Sequence, residues 1–249
     1  MHVLFPRRME SPLRAPQITP ASSQNRLLAA IPSEELQRLA PHFQTVPLVF
    51  RETLFEAGDP IEFVYFPLSG MISLIASTGS GRSIEVGIVG KDGLTGVPIV
   101  LDDDISFIRG VVQAEGSALK LSATTLKDEL RRDGALRSVL LRYSRFALAQ
   151  ATQSVICNRL HSLDQRCARW LLSIRDRVGA DTFPMTHEFL SYFLGVRRAG
   201  VTLAALDFQR AGLIRYARGA LTILDADGLE ASACECHRVL EKEHARLLG

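Results

Sequence analysis

Between Val196 and Gly219 the sequence sets five arginines (Arg197, Arg198, Arg210, Arg215 and Arg218) against a single acid, Asp207. Guanidinium groups gathered in this way suit phosphate, and one that reaches a base edge can bond guanine in a bidentate fashion. The surrounding pattern says how they are presented. Thr186 can cap a helix whose inward positions are Leu190, Phe193 and Leu194, and Gly195 then turns the chain at positive φ. A second helix starts at once and buries Val201, Ala204, Ala205 and Phe208, which leaves Arg197, Arg198, Gly200 and Thr202 near its first outward turn. A helix N-terminus attracts phosphate, and Gly200 lets a ligand approach the backbone closely. Small Ser191 before the turn glycine and apolar Val201 after it match the spacing of a helix-turn-helix. Downstream, Ile214 and Tyr216 alternate, Arg218 and Gly219 turn, and Leu221 and Ile223 resume, which reads as a β-hairpin wing. Arg215 and Arg218 sit where such a wing meets the sugar-phosphate backbone, a contact that positions the protein without reading sequence.

Other chemistry is sparse. The chain has no P-loop, no Rossmann glycine pattern, no G-x-S-x-G and no H-E-x-x-H, so it is not expected to be an enzyme. Glu34-Glu35 and Asp102-Asp103-Asp104 are carboxylate runs of the kind usually solvated on a helix start and a loop. Cys157, Cys167, Cys234 and Cys236 are too few for a disulfide framework, and packing is their expected role. Cys234, Cys236, His237 and His244 lie close in sequence and could bind zinc or sense oxidation. Cys-x-Cys followed by scattered histidines is not an established ligand spacing, so a structural role is favoured, and neither a metal nor another cofactor is expected.

The elements that position the arginines follow from periodicity. With 249 residues and 47% apolar content the chain can fill two cores. Residues 1–24, with Pro6, Pro12, Pro16 and Pro20, read as a disordered tail. A helical pair follows over Asn25 to Phe43. Between Val46 and Leu121 come the short β-type runs VPLVF, FVYF, MISLIA, SIEVGI, FIRGVV and ALKL, divided by turn residues including Ser69-Gly70, which predicts an antiparallel jelly-roll barrel. Ile84, Val86 and Ile88 alternate with Ser83, Glu85 and Gly87, as a strand with one buried face requires. From Thr124 the pattern is helical. Leu136, Leu140, Tyr143, Ala147, Gln150 and Ser154 form a 4-3-4-3-4 stripe suited to pairing a helix with its own copy, unless that face packs within one chain. A helix over 136–161 would extend about 40 Å. A further helix follows, with Leu163, Cys167, Trp170, Leu171 and Ile174 on its buried side. No run of 18 apolar residues and no signal-type N-terminus is present, so the expectation is a soluble cytoplasmic protein without membrane contact.

These segments resemble the Crp/Fnr family of bacterial regulators over nearly everything after the tail. The resemblance is carried by FPLSGMISL, by LHSLDQRCARWLL and above all by THEFLSYFLGVRRAGVTLAALDFQRAGLIRYARG. It implies an α+β protein: a tail (1–24), a cyclic-nucleotide-binding-like sensor barrel (25–135), a dimerisation helix (136–161) and a winged helix-turn-helix (162–249). Double-stranded DNA and a second copy of the chain are the implied partners, with RNA polymerase added if the protein activates. Arg198 occupies the place of the family's base-reading arginine. The acid and second arginine common in the cyclic AMP receptor branch are replaced by Ala199 and Leu203, so the target sequence should differ. The family's phosphate cassette resembles Gly-Glu-Leu followed some ten residues later by Arg-Ser. Here Gly96-Val97-Pro98 and Phe107-Ile108-Arg109-Gly110 stand instead, so Gly96, Val97, Ile108 and Arg109 would line an effector pocket that lacks the glutamate, and cyclic AMP is not the expected effector. The family's iron–sulfur mode needs N-terminal cysteines, and none precedes Cys157. The alternative reading is a sensor or adaptor that has lost DNA affinity and regulates a protein partner through the barrel.

Overall fold

The computed structural model describes residues 24–81 and 83–248, so the expected tail lies, but for Gln24, outside the described residues. Two short helices, α1 (Arg26–Ala29) and α2 (Ser33–Leu39), lead into strands β1 (Gln44–Leu48), β2 (Thr53–Phe55), β3 (Phe63–Ser77) and β4 (Ser83–Val89). After the single-turn helix α3 (Val97–Val100) come β5 (Arg109–Ser122), α4 (Ala123–Leu130) and the long α5 (Ala135–Leu160). The second half comprises α6 (Leu163–Val178), β6 (Thr182–Pro184), α7 (His187–Leu194), α8 (Arg198–Arg210), β7 (Ile214–Ala217), β8 (Ala220–Ile223), α9 (Ala226–Ser232) and α10 (Cys236–Leu248). The fold is α+β, with an antiparallel sheet in the order β1-β5-β3-β4, β2 also pairing β5, ahead of the helical head.

The expected strands FVYF and MISLIA are one strand, β3, and FIRGVV and ALKL are likewise united in β5. Ser69-Gly70, expected to be a turn, is instead a bulge where the β3–β5 register shifts. Gly70 takes φ +77°, and a Cβ there would lie 2.5 Å from the Ala114 carbonyl oxygen. Two long strands can therefore bend and close a barrel without a break in the chain.

The barrel is sealed by helices. Asn25 is fully buried; its Nδ2 donates to the carbonyls of Pro67 and Gly93, and its Oδ1 accepts from Leu28 N. This one amide ties α1 to the sheet, so that Leu27 and Leu28 join Phe66, Leu121 and Leu126 in the core. Glu35 has a similar reach. The N-cap of α5 is Gly134, which offers no side chain, and the Glu35 carboxylate accepts from Ala135 N and Leu136 N at 2.8 Å each. The expectation of a solvated acidic pair thus fails for Glu35, because two orphan amides and a helix dipole face it.

Leu136, Val139, Leu140, Tyr143 and Phe146 of α5 are buried in the barrel core together with Leu240 and Leu247 of α10. Gln150 is buried as well and accepts from Ile88 N. The stripe expected to meet a second copy therefore packs within the chain. A different face is left open, where Leu141, Leu148 and Val155 stand one heptad apart with 41%, 68% and 70% of their surfaces exposed.

The head has its own core around Trp170, Leu171, Phe193, Val201 and Phe208, and Met71 and Ile88 of the barrel belong to it. Barrel and head are pressed together there, which corrects the expectation that Glu85 faces solvent: it is buried. Burial pushes the Glu85 carboxyl well above the usual carboxylate range, against the pull of Ser73, Arg177 and Arg169.

Replacing Glu35 by Ala should cost about 1–2 kcal/mol, as the loss of an N-cap does, whereas Glu34→Ala, fully on the surface, should stay within about 0.5 kcal/mol. Urea unfolding of both variants checks this; equal stabilities would remove Glu35 from its capping role.

Candidate nucleic-acid interface

Helix α7 starts where Thr186 Oγ1 accepts from Phe189 N at 3.2 Å, so the hydroxyl is engaged in capping. It ends at Gly195, whose φ of +62° lets Val196 N reach back to the Ser191 carbonyl at 3.1 Å. Between α7 and α8 the chain turns through 112°, within the usual range for a helix-turn-helix. Trp170 stacks on Phe193 with centroids 5.2 Å apart and Phe189 meets the same ring edge-on, which fixes α7 against α6. Arg166 of α6, which the sequence reading passed over, donates to the Leu194 carbonyl and pins the turn from below.

The residues singled out in the sequence separate into two sets. Arg197 is the N-cap of α8 and Arg198 its first residue; both side chains are exposed. Arg215 is exposed on β7, and Arg218 and Gly219 take φ of +51° and +82° at the tip between Ala217 and Ala220, the backbone of a type I′ hairpin. Among the described residues none of these four guanidiniums makes an ion pair, whereas Arg210 is held by Asp207 at 3.1 Å. The only acid of the window is thus neutralised within α8.

Gly200 and Thr202 belong to the other set. A Cβ at Gly200 would fall 2.8 Å from Leu163 Cδ2, so this glycine faces α6 rather than an approach from outside. Thr202 is half-buried, and its hydroxyl donates to the Arg198 carbonyl at 3.0 Å. His187 Nδ1 lies 3.1 Å from Thr202 Oγ1 and, with that hydroxyl proton already committed, serves as the donor. The His187 ring also meets Tyr216 of the wing edge-on at 4.6 Å, and Tyr216 N donates to Gln209 Oε1. His187 and Gln209 therefore lock the wing to the recognition helix. Neither was visible in sequence, since each acts through a partner on another element.

The expected effector residues do not converge. Gly96, at φ +83°, abuts Val64 and Ile61 in the barrel core, and Val97 packs against the same cluster. Ile108 sits in a turn bonded to Ser106. Arg109 leaves the barrel and donates to Tyr192 Oη of α7 at 3.4 Å. The pull is outward because α7 rests on the sheet beside it.

Two family profiles match. A Crp-like helix-turn-helix domain covers residues 165–232 and a cyclic nucleotide-binding domain covers residues 49–133. The chain belongs to the Crp/Fnr family of transcription regulators. It is 22% identical over 202 residues to a CRP-like cAMP-activated global transcriptional regulator of Mycobacterium tuberculosis, covering 78% of this chain and 90% of that relative. In fold it is similar to FixK2 from Bradyrhizobium japonicum, with a TM-score of 0.66, 14% identity and coverage of 77% and 98% of the two chains. A CRP-family transcriptional regulator from Thermus thermophilus gives a TM-score of 0.62 at 21% identity, with coverage of 76% and 96%. This Crp/Fnr regulator binds DNA, and its class is not enzymatic. No single helix among the described residues is long and apolar enough to cross a membrane.

Burial, and then the Arg198 guanidinium, hold His187 below the usual imidazole range. A histidine whose folded value lies below its unfolded one binds fewer protons when folded, so its contribution is complete above about pH 6.5 and fades as pH falls. Urea midpoints of wild type and His187→Gln across about pH 5–8 should therefore diverge above about pH 6.5 and converge below it. Parallel curves would rule His187 out.

Proposed function

We propose that this regulator works as a homodimer that reads a pseudo-palindromic operator and answers to something other than cyclic AMP. In this reading residues 25–135 form the sensor barrel, 136–161 the dimerisation helix and 162–249 the DNA-binding head. The observation that carries it is the set of four guanidiniums free of ion pairs among the described residues, Arg197 and Arg198 at the start of α8 and Arg215 and Arg218 on the wing. Arg198 reads a base edge in the major groove, and Arg197, Thr186 and the wing fix register on phosphates. Gly200 and Thr202 shape the recognition helix from behind. Pairing through the exposed Leu141, Leu148 and Val155 face would set two such helices in successive major grooves, about 34 Å apart.

The barrel supports a departure from cyclic nucleotide sensing. A cyclic phosphate needs a charge-assisted donor inside the pocket, and Arg109, the one cation at the expected place, reaches toward Tyr192 of α7 instead. The effector class stays open, and RNA polymerase is a partner if the protein activates.

Arg198→Ala should lose about 1–3 kcal/mol on the operator and relax preference at one base, while Arg218→Ala should weaken specific and random duplexes alike. Fluorescence anisotropy on both kinds of DNA measures the split; an equal loss for the two variants would refute it. Leu148→Asp should leave a folded monomer in sedimentation and abolish operator binding, and a dimer in that variant would exclude this face. Micromolar cyclic AMP should leave the thermal midpoint unmoved; a shift would overturn the reading of the cassette.

A further inference from the structure

The four cysteines are not alike. Cys167 lies in the apolar core of the head, where a small hydrophobic residue is expected. Cys157, Cys234 and Cys236 instead form a small buried cluster of their own. Cys157 is on the last turn of α5, Cys234 in the connection between α9 and α10, and Cys236 opens α10. His161, the residue that ends α5, completes the group. One ligand atom from each of the four lies within 4.8 Å of all the others. Cys157 Sγ is 3.5 Å from Cys234 Sγ, and Cys236 Sγ is 3.5 Å from His161 Nδ1. A tetrahedral zinc ion, with bonds of about 2.3 Å to sulfur and about 2.0–2.1 Å to nitrogen, sets its ligand atoms about 3.5–3.8 Å apart.

We propose that Cys157, His161, Cys234 and Cys236 are the ligands of a zinc-class divalent cation that fastens the end of α5 to the start of α10. The surroundings fit that role. His161 Nε2 faces Glu235 Oε1 at 3.2 Å, the carboxylate partner that holds a ligating imidazole in orientation and keeps its proton on the far nitrogen. Gln153 Nε2 donates to Cys236 Sγ at 3.1 Å, a bond that stabilises a thiolate. Loading releases the three thiol protons to solvent and involves no oxidation, leaving three thiolates, a neutral imidazole and a dication with a net charge of −1. Arg169 and Arg166 lie near enough to the sulfurs to interact with that charge. Arg169 is buried, and its Nε has no hydrogen-bond partner among the described residues. Soft thiolates select zinc over magnesium or calcium.

The sequence reading grouped Cys234 and Cys236 with His237 and His244. The structure sends His237 to Asp176 and His244 toward Asp92, and brings in Cys157 and His161 from the end of α5. Cys157-x-x-x-His161 spans one helical turn, which brings the two side chains to one face at the end of α5.

The test uses the full chain, purified with reductant, stripped by chelator and titrated with zinc or cobalt. One equivalent should bind. Cobalt should give four-coordinate visible bands with thiolate charge transfer, and zinc at about 100 times its Kd should raise Tm by roughly 5–10 °C. Cys234→Ser and Cys236→Ser should lose the charge-transfer signature, and Cys167→Ala should keep it. Glu235 is exposed, so Glu235→Ala should fold and bind zinc about 10–100-fold more weakly. The proposal fails if the wild-type chain shows no thiolate–cobalt band, or if Glu235→Ala binds as tightly as wild type. It fails equally if metal uptake is abolished by His237→Ala alone, which would place the ion at Asp176, His237 and Glu241, or if reductant-free protein forms a Cys157–Cys234 disulfide and the reduced protein takes no metal.

Discussion

Everything in this chain is referred to the burial of one face of α5. Leu136, Leu140, Tyr143 and Phe146 close the barrel from outside, and at about 1.5–3 kcal/mol for each fully buried large side chain this seam exceeds any polar contact in the molecule. The helix runs for 26 residues, about 39 Å, so its far end lies well beyond the barrel and fixes where α6 begins. Helix α10 then folds back along it, with Leu240 and Leu247 entering the barrel's own core and Arg142 Nε donating to the Leu247 carbonyl. The same helix thus sets the position of the sensor, the head and the C-terminal segment.

Local signals were legible where one element decides its own conformation. Thr186 and Gly195 bracket α7 as their capping chemistry requires, Val201, Ala204, Ala205 and Phe208 are the buried face of α8, and Arg218-Gly219 makes the hairpin tip. Readings failed where a second element decides. The α5 stripe has the period of a coiled-coil seam, but period alone cannot say whether a barrel or a copy covers it. Ser69-Gly70 has turn composition, yet the pairing of β3 with β5 across it makes a bulge. Glu85 alternates as a surface residue would, and helices from the head bury it.

The same division explains the site. Arg197, Arg198, Arg215 and Arg218 were readable because exposed charge on a helix start and a hairpin needs no partner to be placed. Gly200 was assigned an outward purpose because its composition suits both a ligand and a neighbouring helix, and only Leu163 distinguishes them. Cys157 and His161 lie over seventy residues from Cys234 and Cys236 along the chain, and no spacing rule joins the C-terminal turn of one helix to the N-terminal turn of another.

Met71 and Ile88 extend from the barrel strands into the head, where they are 1% and 5% exposed. Lifting the head away would wet both, at about 1.5–3 kcal/mol apiece, so a swinging motion about the end of α5 is opposed. Ile84 of β4 also lies against Gly195 itself, its Cδ1 3.3 Å from where a Cβ would be. The recognition unit in this sense rests on the sheet itself: the corner between α7 and α8 touches β4 directly, a contact in which the long helix takes no part.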